Sequence, residues 1–334
     1  MRVLDLCCGM GGLSLAAQQL GMRIVAGVDT DVSVLRTFEQ NFCQATVIRG
    51  SVRAPTVLAK CRELLEATGC GDSPVVVLSG PPCQGFSAAG SRRSSDPRNQ
   101  ILPAVARAIV KLQPSCALIE NVSMILAEKH SARLTAVEET LRDGGYSVAR
   151  VLLDAGDYGA PQRRKRTFFL VSRVLPDEAE VRRRLDSLKK PEVTVLAALG
   201  DLPAPQVRPD DFDDECDYGG VVNHFAMQHS NRVKQKIAKI KPGEGPMSYR
   251  RLDPHRPAKT LFSGHRAPPA HFLEPRSITV REAARLQGFP DIFRVYGSFA
   301  NQMAQVTNAV PPPLTRAVLR VLAELSGIEI DAHA

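Results

Sequence analysis

Residues 75–87, Val-Val-Val-Leu-Ser-Gly-Pro-Pro-Cys-Gln-Gly-Phe-Ser, join an apolar run to two prolines and a cysteine. The β-branched residues predict a buried strand. The prolines predict that this strand ends abruptly, because proline has no N–H to continue a ladder. Cys83 is therefore expected at the carboxyl end of a strand, where open α/β sheets bind their ligands. Free cysteines are most often buried structural thiols, so the rest of the chain has to decide the role of this one.

The first forty residues have the pattern of a nucleotide-binding βαβ unit. Arg2 to Leu6 predicts a strand, residues 7–12 contain a glycine turn, and Leu13 to Leu20 has helical spacing. A second strand from Met22 to Val28 follows. The order strand, glycine turn, helix, strand is the one that binds nucleotide-like cofactors.

The acidic residues of this unit suggest what the ligand is. Asp29 follows the second strand, where such folds hydrogen-bond a ribose diol. The third glycine of a dinucleotide fingerprint is replaced by Ser14, which favours a ligand with a ribose and no pyrophosphate. S-adenosylmethionine fits that description. A helix-capping role for Asp5 and a plain tight turn at the glycines are the alternatives.

Strands and helices continue to alternate up to residue 172, which predicts an α/β fold. One further strand is predicted from Cys116 to Ile119, and it leads into Glu120-Asn121-Val122. A carboxylate and a thiol at the ends of neighbouring strands would meet in one crevice, as acid-assisted nucleophilic chemistry requires. A glutamate at a strand end is otherwise usually a solvated cap. The other predicted elements are helices at 56–68, 99–111 and 131–143 and strands at 47–48, 75–79, 146–154 and 167–171.

A basic run follows Pro161, and it consists of Gln162, Arg163, Arg164, Lys165 and Arg166. Alternate residues of an extended segment point to one face, so Gln162, Arg164 and Arg166 are expected to act together on an anionic or carbonyl-rich ligand. A solvated loop is the alternative.

The composition changes after residue 172. From Gln228 to Arg266 there are ten Lys or Arg against two acidic residues, a balance that equals the +8 of the whole chain. Apolar helical patterns return at Val280 to Gln287 and at Leu314 to Leu325. Residues 173–275 are therefore predicted to be a second domain inserted into the first.

Composition narrows the class of protein further. The chain has 334 residues, 44% of them apolar and 23% charged, as in ordinary globular proteins. The net charge of +8 favours a polyanionic partner without proving one. The eight cysteines form no Cys-x-x-Cys pair, so neither a disulfide framework nor a metal site is expected. The N-terminus has no signal-peptide pattern, and a cytoplasmic protein is expected.

Six motifs together resemble the ordered signature motifs of the cytosine-C5 DNA methyltransferases, from one end of the chain to the other. The resemblance implies a Rossmann-like, S-adenosylmethionine-dependent domain formed by 1–172 plus 276–334. It also implies a smaller inserted target-recognition domain at 173–275. The motifs are Asp5-Leu6…Gly9-Met10-Gly11-Gly12, Pro81-Pro82-Cys83-Gln84, Glu120-Asn121-Val122, Gln162-Arg163-Arg164-Lys165-Arg166, the segment 281–290 and Asn308-Ala309-Val310-Pro311-Pro312.

The resemblance implies roles for particular residues. Cys83 would add to C6 of a cytosine flipped out of duplex DNA, and Glu120 would contact N3 and the exocyclic amine. Arg164, with Arg166 beside it, would hold that base and the active-site loop. The implied cofactor contacts are Asp5, Leu6, Gly9, Gly11, Gly12, Asp29, Thr30, Ser51, Val52, Pro81, Asn308 and Ala309. The implied DNA contacts are Gln84, Ser87, Gln162, Arg164, Thr260 and Leu261.

The chain also departs from the family pattern. Cys7-Cys8 stands where an aromatic and a small residue are usual, Gly50-Ser51-Val52 replaces Gly-Asp-Ile, and Thr307 replaces a glycine. The second of these puts a carboxylate contact to the adenine amine in doubt. Neither the nucleophile nor its acid is affected.

Three alternatives belong to other classes. A transfer RNA cytosine methyltransferase is disfavoured because the Cys-Phe-Thr segment of that branch is absent. A catalytically silent DNA-binding relative is disfavoured because Cys83 and Glu120 are both retained. A cysteine hydrolase is disfavoured because no histidine lies near the strand ends that carry the motifs. Duplex DNA is the expected partner, and a cognate restriction endonuclease in the same cell is compatible with this class.

Overall fold

The computed structural model describes residues 1–69, 73–82, 100–207, 220–246, 249–262 and 268–330. The strands are β1 (Arg2–Leu6), β2 (Arg23–Asp29), β3 (Thr46–Arg49), β4 (Val75–Ser79), β5 (Cys116–Val122), β6 (Ser147–Asp154), β7 (Gln162–Arg163), β8 (Lys165–Ser172), β9 (Gln206–Val207), β10 (Phe225–Ala226) and β11 (Ala258–Lys259). The helices are α1 (Gly12–Gln18), α2 (Val32–Asn41), α3 (Pro55–Ala67), α4 (Ile101–Leu112), α5 (Ser131–Asp143), α6 (Glu178–Asp186), α7 (Val195–Leu199), α8 (Asn231–Ala238), α9 (Val280–Leu286), α10 (Phe299–Asn308) and α11 (Pro312–Leu325).

The chain divides into two compact units. The first unit contains Met1–Asp154, Lys165–Lys189 and Pro312–Ala334, and the second contains Ala155–Arg164 and Lys190–Pro311. The two units are groups of residues that pack together in the structure. The second unit therefore includes 276–311, which the sequence analysis places in the catalytic domain. The first unit includes α6, which the sequence analysis places in the inserted domain. The predicted division of labour between domains concerns which residues read DNA, and it stays a prediction.

The first unit is built on a seven-stranded sheet with the order β3-β2-β1-β4-β5-β8-β6. Strands β1 to β5 run parallel, and β8 lies antiparallel between β5 and β6. The centre of β4 is at most 1% exposed, as expected for an apolar strand covered on both faces. The α/β prediction is confirmed, and the strand order reverses between β1 and β4, where such sheets bind ligands.

One predicted element is longer than the sequence indicated. The apolar run that begins at Cys116 predicted a strand to residue 119, but β5 continues through Val122. The reason is its second neighbour. Strand β4 pairs with β5 only as far as Ser79 opposite Ile119, whereas β8 pairs with β5 along its whole length. Glu120 therefore lies inside a strand and one residue beyond the last β4 pair.

The second unit contains short elements held by buried polar groups. Its strands form two parallel pairs, β9 with β10 and β7 with β11. Glu282 accepts two hydrogen bonds from the Arg276 guanidinium, at 2.7 and 2.8 Å, and closes a capping box with Thr279 at the start of α9. Arg281 is fully buried and donates to the main-chain carbonyls of Val222, Pro290 and Phe293.

Among the described ranges, no helix is long and apolar enough to span a bilayer.

Candidate active site and cofactor loop

The segment that leads to Cys83 is fixed on both sides by neighbouring strands. The Ser79 hydroxyl donates to the carbonyl of Leu6 on β1, and Asn121 Nδ2 donates to the carbonyl of Pro81 at 3.4 Å. A Cβ placed on Gly80 would lie 3.6 Å from Glu120 Oε2. Glu120 is therefore beside the main chain three residues before the predicted nucleophile. Cys83, Gln84 and Ser87 themselves lie outside the described residues.

Glu120 forms a buried ion pair with Arg166. Arg166 Nε lies 2.7 Å from Glu120 Oε1, and the side chains are 11% and 9% exposed. The register explains the contact, since β8 places Arg166 opposite Val122, two residues along β5 from Glu120. The alternative of a solvated strand-end cap is excluded by this burial. Removing one partner of a buried pair costs about 3–5 kcal/mol, so the pair holds both groups in place.

The alternation predicted for the basic run is present. Gln162, Arg164 and Arg166 are 0%, 2% and 9% exposed, whereas Arg163 is half-buried and Lys165 is exposed. A solvated loop is therefore wrong for the three alternate residues. Arg166 belongs to the first unit, and Gln162 and Arg164 belong to the second.

Arg164 donates to main-chain carbonyls within the second unit. Its Nη1 lies 3.2 Å from the oxygen of Leu261, and its Nη2 lies 2.6 Å from that of Thr307 and 3.2 Å from that of Ala309. Gln162 accepts from Leu261 N–H at 3.2 Å, and the Thr260 hydroxyl donates to the Arg163 carbonyl at 2.7 Å. No sequence pattern predicts these contacts, because main-chain partners are set by tertiary structure. A contact of Arg164 with the target base stays a prediction.

Asp5 is a fully buried carboxyl at the end of β1. The Ser14 hydroxyl donates to Asp5 Oδ2 at 2.7 Å, and Oδ1 has no hydrogen-bond partner among the residues described. Burial raises the pKa of this carboxyl to about 7. Helix α1 has Gly11 as its N-cap, and Asp5 bonds to Ser14 in the first turn of that helix, so the helix-capping alternative for Asp5 stays open.

Asp29 holds the turn that follows β1. Its Oδ2 accepts from Gly9 N–H at 3.0 Å, and its Oδ1 accepts from the N–H groups of Thr30 at 2.7 Å and Asp31 at 3.1 Å. A carboxylate placed by three main-chain donors is well oriented to accept from a ligand hydroxyl as well. The position predicted for ribose binding therefore has a fixed carboxylate.

Gly11 is required both by its conformation and by its neighbours. Its φ is +97°, and a Cβ there would lie 2.3 Å from the Phe42 ring. Phe38 of α2 and Phe42, the C-cap residue of that helix, form an aromatic pair with ring centroids 4.5 Å apart. The loop is therefore covered by two aromatic rings that the sequence analysis did not single out. Their i, i+4 spacing, which brings two side chains together along a helix, is the sequence signal that could have identified them.

The two cysteines of the loop are not competing nucleophiles. Burial raises the pKa of both the Cys7 and Cys8 thiols well above the usual range. Only a thiolate is reactive, so both groups stay protonated and inert near neutral pH.

The remaining predicted cofactor contacts of the first unit differ in exposure. Leu6, Gly12, Val52 and Pro81 are buried, Ser51 is half-buried and Thr30 is exposed. The loop itself offers an unpaired carboxyl oxygen on Asp5, a fixed carboxylate on Asp29 and a glycine at position 9, so the residues present suit a small ligand with hydroxyl and amine groups. Asn308 and Ala309, at the end of α10, belong to the second unit.

The second unit contains a cleft of about 200 Å³. Thr260 and Leu261, both predicted DNA contacts, line it. So do several basic side chains and the Phe262 ring, which is 45% exposed. The basic residues in the lining are Arg250, Arg251, Arg256 and Lys259. Cationic donors beside an exposed ring suit a nucleic-acid surface.

Comparison with known proteins identifies the family. The model of the C-5 cytosine-specific DNA methylase family matches residues 1–324. The chain therefore belongs to that family and is a DNA (cytosine-5)-methyltransferase, as its six motifs predicted.

Three similar proteins illustrate how far the similarity extends. Type II methyltransferase M.XorII of Xanthomonas oryzae pv. oryzae is 32% identical, over 94% of this chain and 82% of the relative. A structure described as a DNA modification methyltransferase encoded within a prophage (E. coli) superposes with a TM-score of 0.79 at 29% identity, covering 97% of this chain and 99% of the other. The S. pombe Dnmt2 methyltransferase, at 16% identity and a TM-score of 0.65 over 97% of this chain and 98% of that one, shares the fold.

Proposed function

We propose that this enzyme transfers a methyl group from S-adenosylmethionine to C5 of a cytosine within a specific duplex DNA sequence. The reaction proceeds through a covalent bond between Cys83 and C6 of a base flipped out of the helix. The observation that carries the proposal is the buried Glu120–Arg166 pair. Its carboxylate lies beside Gly80, on the segment that presents Cys83.

The chemistry requires a nucleophile and an acid together. C5 of cytosine is too weakly nucleophilic to accept a methyl group directly. When the Cys83 thiolate bonds to C6, the electrons of the C5–C6 double bond become available to C5, which then attacks the methyl carbon. Loss of the C5 proton restores the double bond and expels the thiolate. Covalent catalysis of this kind divides one difficult step into easier ones.

Glu120 stabilises the charge that the attack creates. Addition at C6 increases electron density at N3, and a carboxyl group at N3 stabilises the protonated ring. Arg166 orients Glu120 through the 2.7 Å contact and keeps it from turning into the sheet. The arginine is thus a positioning residue in this scheme.

The cofactor loop supplies the second substrate site. When bound, S-adenosylmethionine provides a methyl group on a sulfonium ion. Asp29 would accept from its ribose hydroxyls, and Asp5 Oδ1 is available to an amine or hydroxyl donor. Gly9, where a Cβ would meet no atom within 4 Å, leaves room for the ligand to approach the main chain.

DNA recognition is assigned to the predicted domain 173–275, and within it to the residues from Lys190 that belong to the second unit, so that α6 takes no part in it. A base inside a duplex cannot be reached from both faces, so the target cytosine has to leave the stack. The cleft of the second unit, with Thr260 and Leu261 in its lining, is proposed to read the flanking base edges. Since the relatives compared include Type II methyltransferases, a cognate restriction endonuclease in the same cell also belongs to the proposal, with no stable complex implied. The enzyme would act on DNA in the cytoplasm.

Two measurements on Cys83→Ala test the proposal. Bisulfite sequencing of DNA from cells that express the enzyme should reveal 5-methylcytosine in one sequence context, and the variant should abolish it. Purified native enzyme should form a covalent adduct with DNA that carries 5-fluorocytosine, whereas the variant should bind that DNA without an adduct. An adduct formed by the variant would refute the assignment of the nucleophile. Methylation of transfer RNA in preference to DNA would refute the proposal that duplex DNA is the substrate.

A further inference from the structure

Helix α8 carries a stripe of three cations along one face. Arg232, Lys236 and Lys239 are spaced i, i+4 and i+7, which places them above one another on a helix. Lys239 is the C-cap residue and retains helical backbone angles. All three side chains are exposed. We refer to these three residues as the basic stripe.

An apolar stripe fixes the direction in which the basic stripe points. Val233, Ile237 and Ile240 have the same i, i+4, i+7 spacing, about 100° around the helix from the cations. Ile237 is fully buried, and the other two are half-buried. The helix is therefore anchored to the second unit along one side. The basic stripe therefore lies on the solvent-exposed side of α8.

The charge of the basic stripe is not compensated along the helix. Like charges at i, i+4 destabilise a helix by about 0.2–0.5 kcal/mol per pair. No acidic residue occurs between Gln228 and Gly243. Within the described ranges, none of the three cations lies in an ion pair.

Helix α6 shows how the same fold treats other basic runs. Arg183 and Arg184 both contact Glu180, at 2.7 and 2.9 Å, and Lys189 contacts Asp186 at 2.7 Å. The two arginines also hold the pKa of the Glu180 carboxyl at about 2, so it stays ionised beside them. The basic residues of α6 thus have carboxylate partners within the protein. The basic stripe of α8 has the repulsion between its like charges and no carboxylate partner to offset it.

Arg251 connects the end of α8 to the wall of the cleft. Its guanidinium donates to the carbonyls of Ile240 at 3.0 Å, Phe272 at 3.1 Å and Leu273 at 2.6 Å. Its own carbonyl accepts from Gly243 N–H at 3.0 Å. Both Arg251 and Gly243 line the cleft. The end of α8 and the wall of the cleft are therefore joined by hydrogen bonds through one residue.

We infer that the basic stripe binds phosphates of the duplex beside the sequence read in the cleft, and adds affinity without sequence preference. The inference rests on the proposed function, because it takes duplex DNA as the substrate. Cations without local partners attract a polyanion, and neutralised phosphates release counterions, which makes affinity depend on salt.

The test compares two triple variants of equal charge. One replaces Arg232, Lys236 and Lys239 by Gln, and the matched control replaces Arg182, Arg183 and Arg184 of α6 by Gln. Duplex binding is measured from about 50 to 200 mM salt. Each phosphate contact contributes about 0.9 to the slope of log affinity against log salt. The α8 variant should lose about two to three from that slope, and the control should keep the native value.

Further variants distinguish the loss of positive charge from a folding defect and from a change in base recognition. Lys236→Arg with Lys239→Arg should retain the native slope, and Lys239→Gln alone, at the helix end, should lose about 0.9. Bisulfite sequencing should find the same methylated sequence for every variant. An unchanged slope in the α8 triple Gln variant or in Lys239→Gln, an equal loss in the α6 control, or a changed target sequence would each overturn the inference. If native enzyme methylates no DNA, the proposed function fails instead.

Discussion

At the scale of single residues, the Glu120–Arg166 contact sets the requirements of the site. A carboxylate and a guanidinium that are each about one-tenth exposed lose most of their hydration. Their mutual attraction and hydrogen bond have to replace it. The fold accepts this arrangement beside Gly80, which suggests that the position of the carboxylate matters more than the stability it contributes.

Substitution of Glu120 by Gln should preserve the shape of the site and impair the chemistry. An amide cannot stabilise a proton at N3 as a carboxyl group does, so the rate of methyl transfer should fall by about 10²–10⁴. Single-turnover assays at saturating DNA measure this rate directly. Glu138→Gln, at the partly exposed pair with Arg142, is the matched control and should retain native activity. Full activity of Glu120→Gln would move the acid role elsewhere.

Substitution of Arg166 tests positioning separately from chemistry. Arg166→Leu removes the partner of a buried carboxylate, so we expect a loss of about 3–5 kcal/mol in the free energy of unfolding. Arg166→Lys keeps the charge but loses the planar guanidinium geometry, so it should fold and turn over more slowly. Single-turnover rates at saturating DNA should be lower for Arg166→Lys than for native enzyme, while the DNA affinity stays native. A native single-turnover rate in Arg166→Lys would contradict the positioning role.

Asp5 predicts how stability depends on pH. Its pKa of about 7 in the folded protein lies above the ordinary value of 3.8. Between about pH 4 and pH 7 the folded state therefore keeps a proton that the unfolded state has lost. The stabilising contribution is complete below this range and decreases as the pH rises through it, by on the order of a few kcal/mol.

Asp5→Asn should remove that dependence, because the amide has the shape of the protonated carboxyl and does not ionise. The melting temperature of native enzyme should fall more than that of Asp5→Asn between pH 5 and pH 8. Asp143→Asn, at an exposed carboxyl at the end of α5, should behave like native enzyme. Parallel melting curves for native enzyme and Asp5→Asn would contradict the assignment.

At the scale of elements, the cofactor loop depends on α2 as well as on its own glycines. A side chain at Gly11 would meet the Phe42 ring at 2.3 Å and would also have to adopt a φ of +97°. Gly327 has a positive φ too, but a Cβ there has no atom within 4 Å. A side chain at either glycine would cause conformational strain, but only a side chain at Gly11 would also cause overpacking.

Gly11→Ala should destabilise the protein more than Gly327→Ala does. Both variants incur the left-handed strain of about 1–2 kcal/mol, and only the first adds overpacking of about 1–3 kcal/mol. Denaturant unfolding of the two variants measures the difference. Cofactor affinity, from calorimetry, should fall only in Gly11→Ala. Equal losses of stability would mean that Phe42 moves aside freely.

The elements also indicate what the sequence can predict. Apolar runs and glycine turns sufficed for β1, β4 and the first helix, because these depend on local pattern and burial. The insertion of β8 beside β5, and hence the placement of Glu120 within a strand, could not be predicted, because antiparallel pairing joins distant segments. The Ser14–Asp5 hydrogen bond could not be predicted for a different reason, because it depends on how two side chains turn within the β1–α1 unit.

At the scale of the whole molecule, the two compact units suggest where the chain can be cut. Helix α6 packs in the first unit through Val181 and Leu185, both fully buried, and Glu178 accepts from Arg150 N–H at 3.0 Å. A segment that starts at residue 173 would remove these contacts. A segment that starts at residue 190 keeps them. At the other end, a cut before Arg276 separates Glu274 from its ion-pair partner.

Exchange of residues 190–275 for the matching segment of a relative of known specificity should therefore transfer target choice better than exchange of 173–275. The first unit keeps β4, β5 and the cofactor loop in both chimeras, and none of these distinguishes the neighbours of one cytosine from those of another. Both chimeras should need S-adenosylmethionine, but the shorter exchange should melt closer to native enzyme because α6 stays intact. Bisulfite sequencing reports the target in each case. If the shorter chimera folds, methylates and still modifies the original sequence, base reading lies outside 190–275, and Arg250, Arg256 and the rest of that cleft lining do not determine specificity.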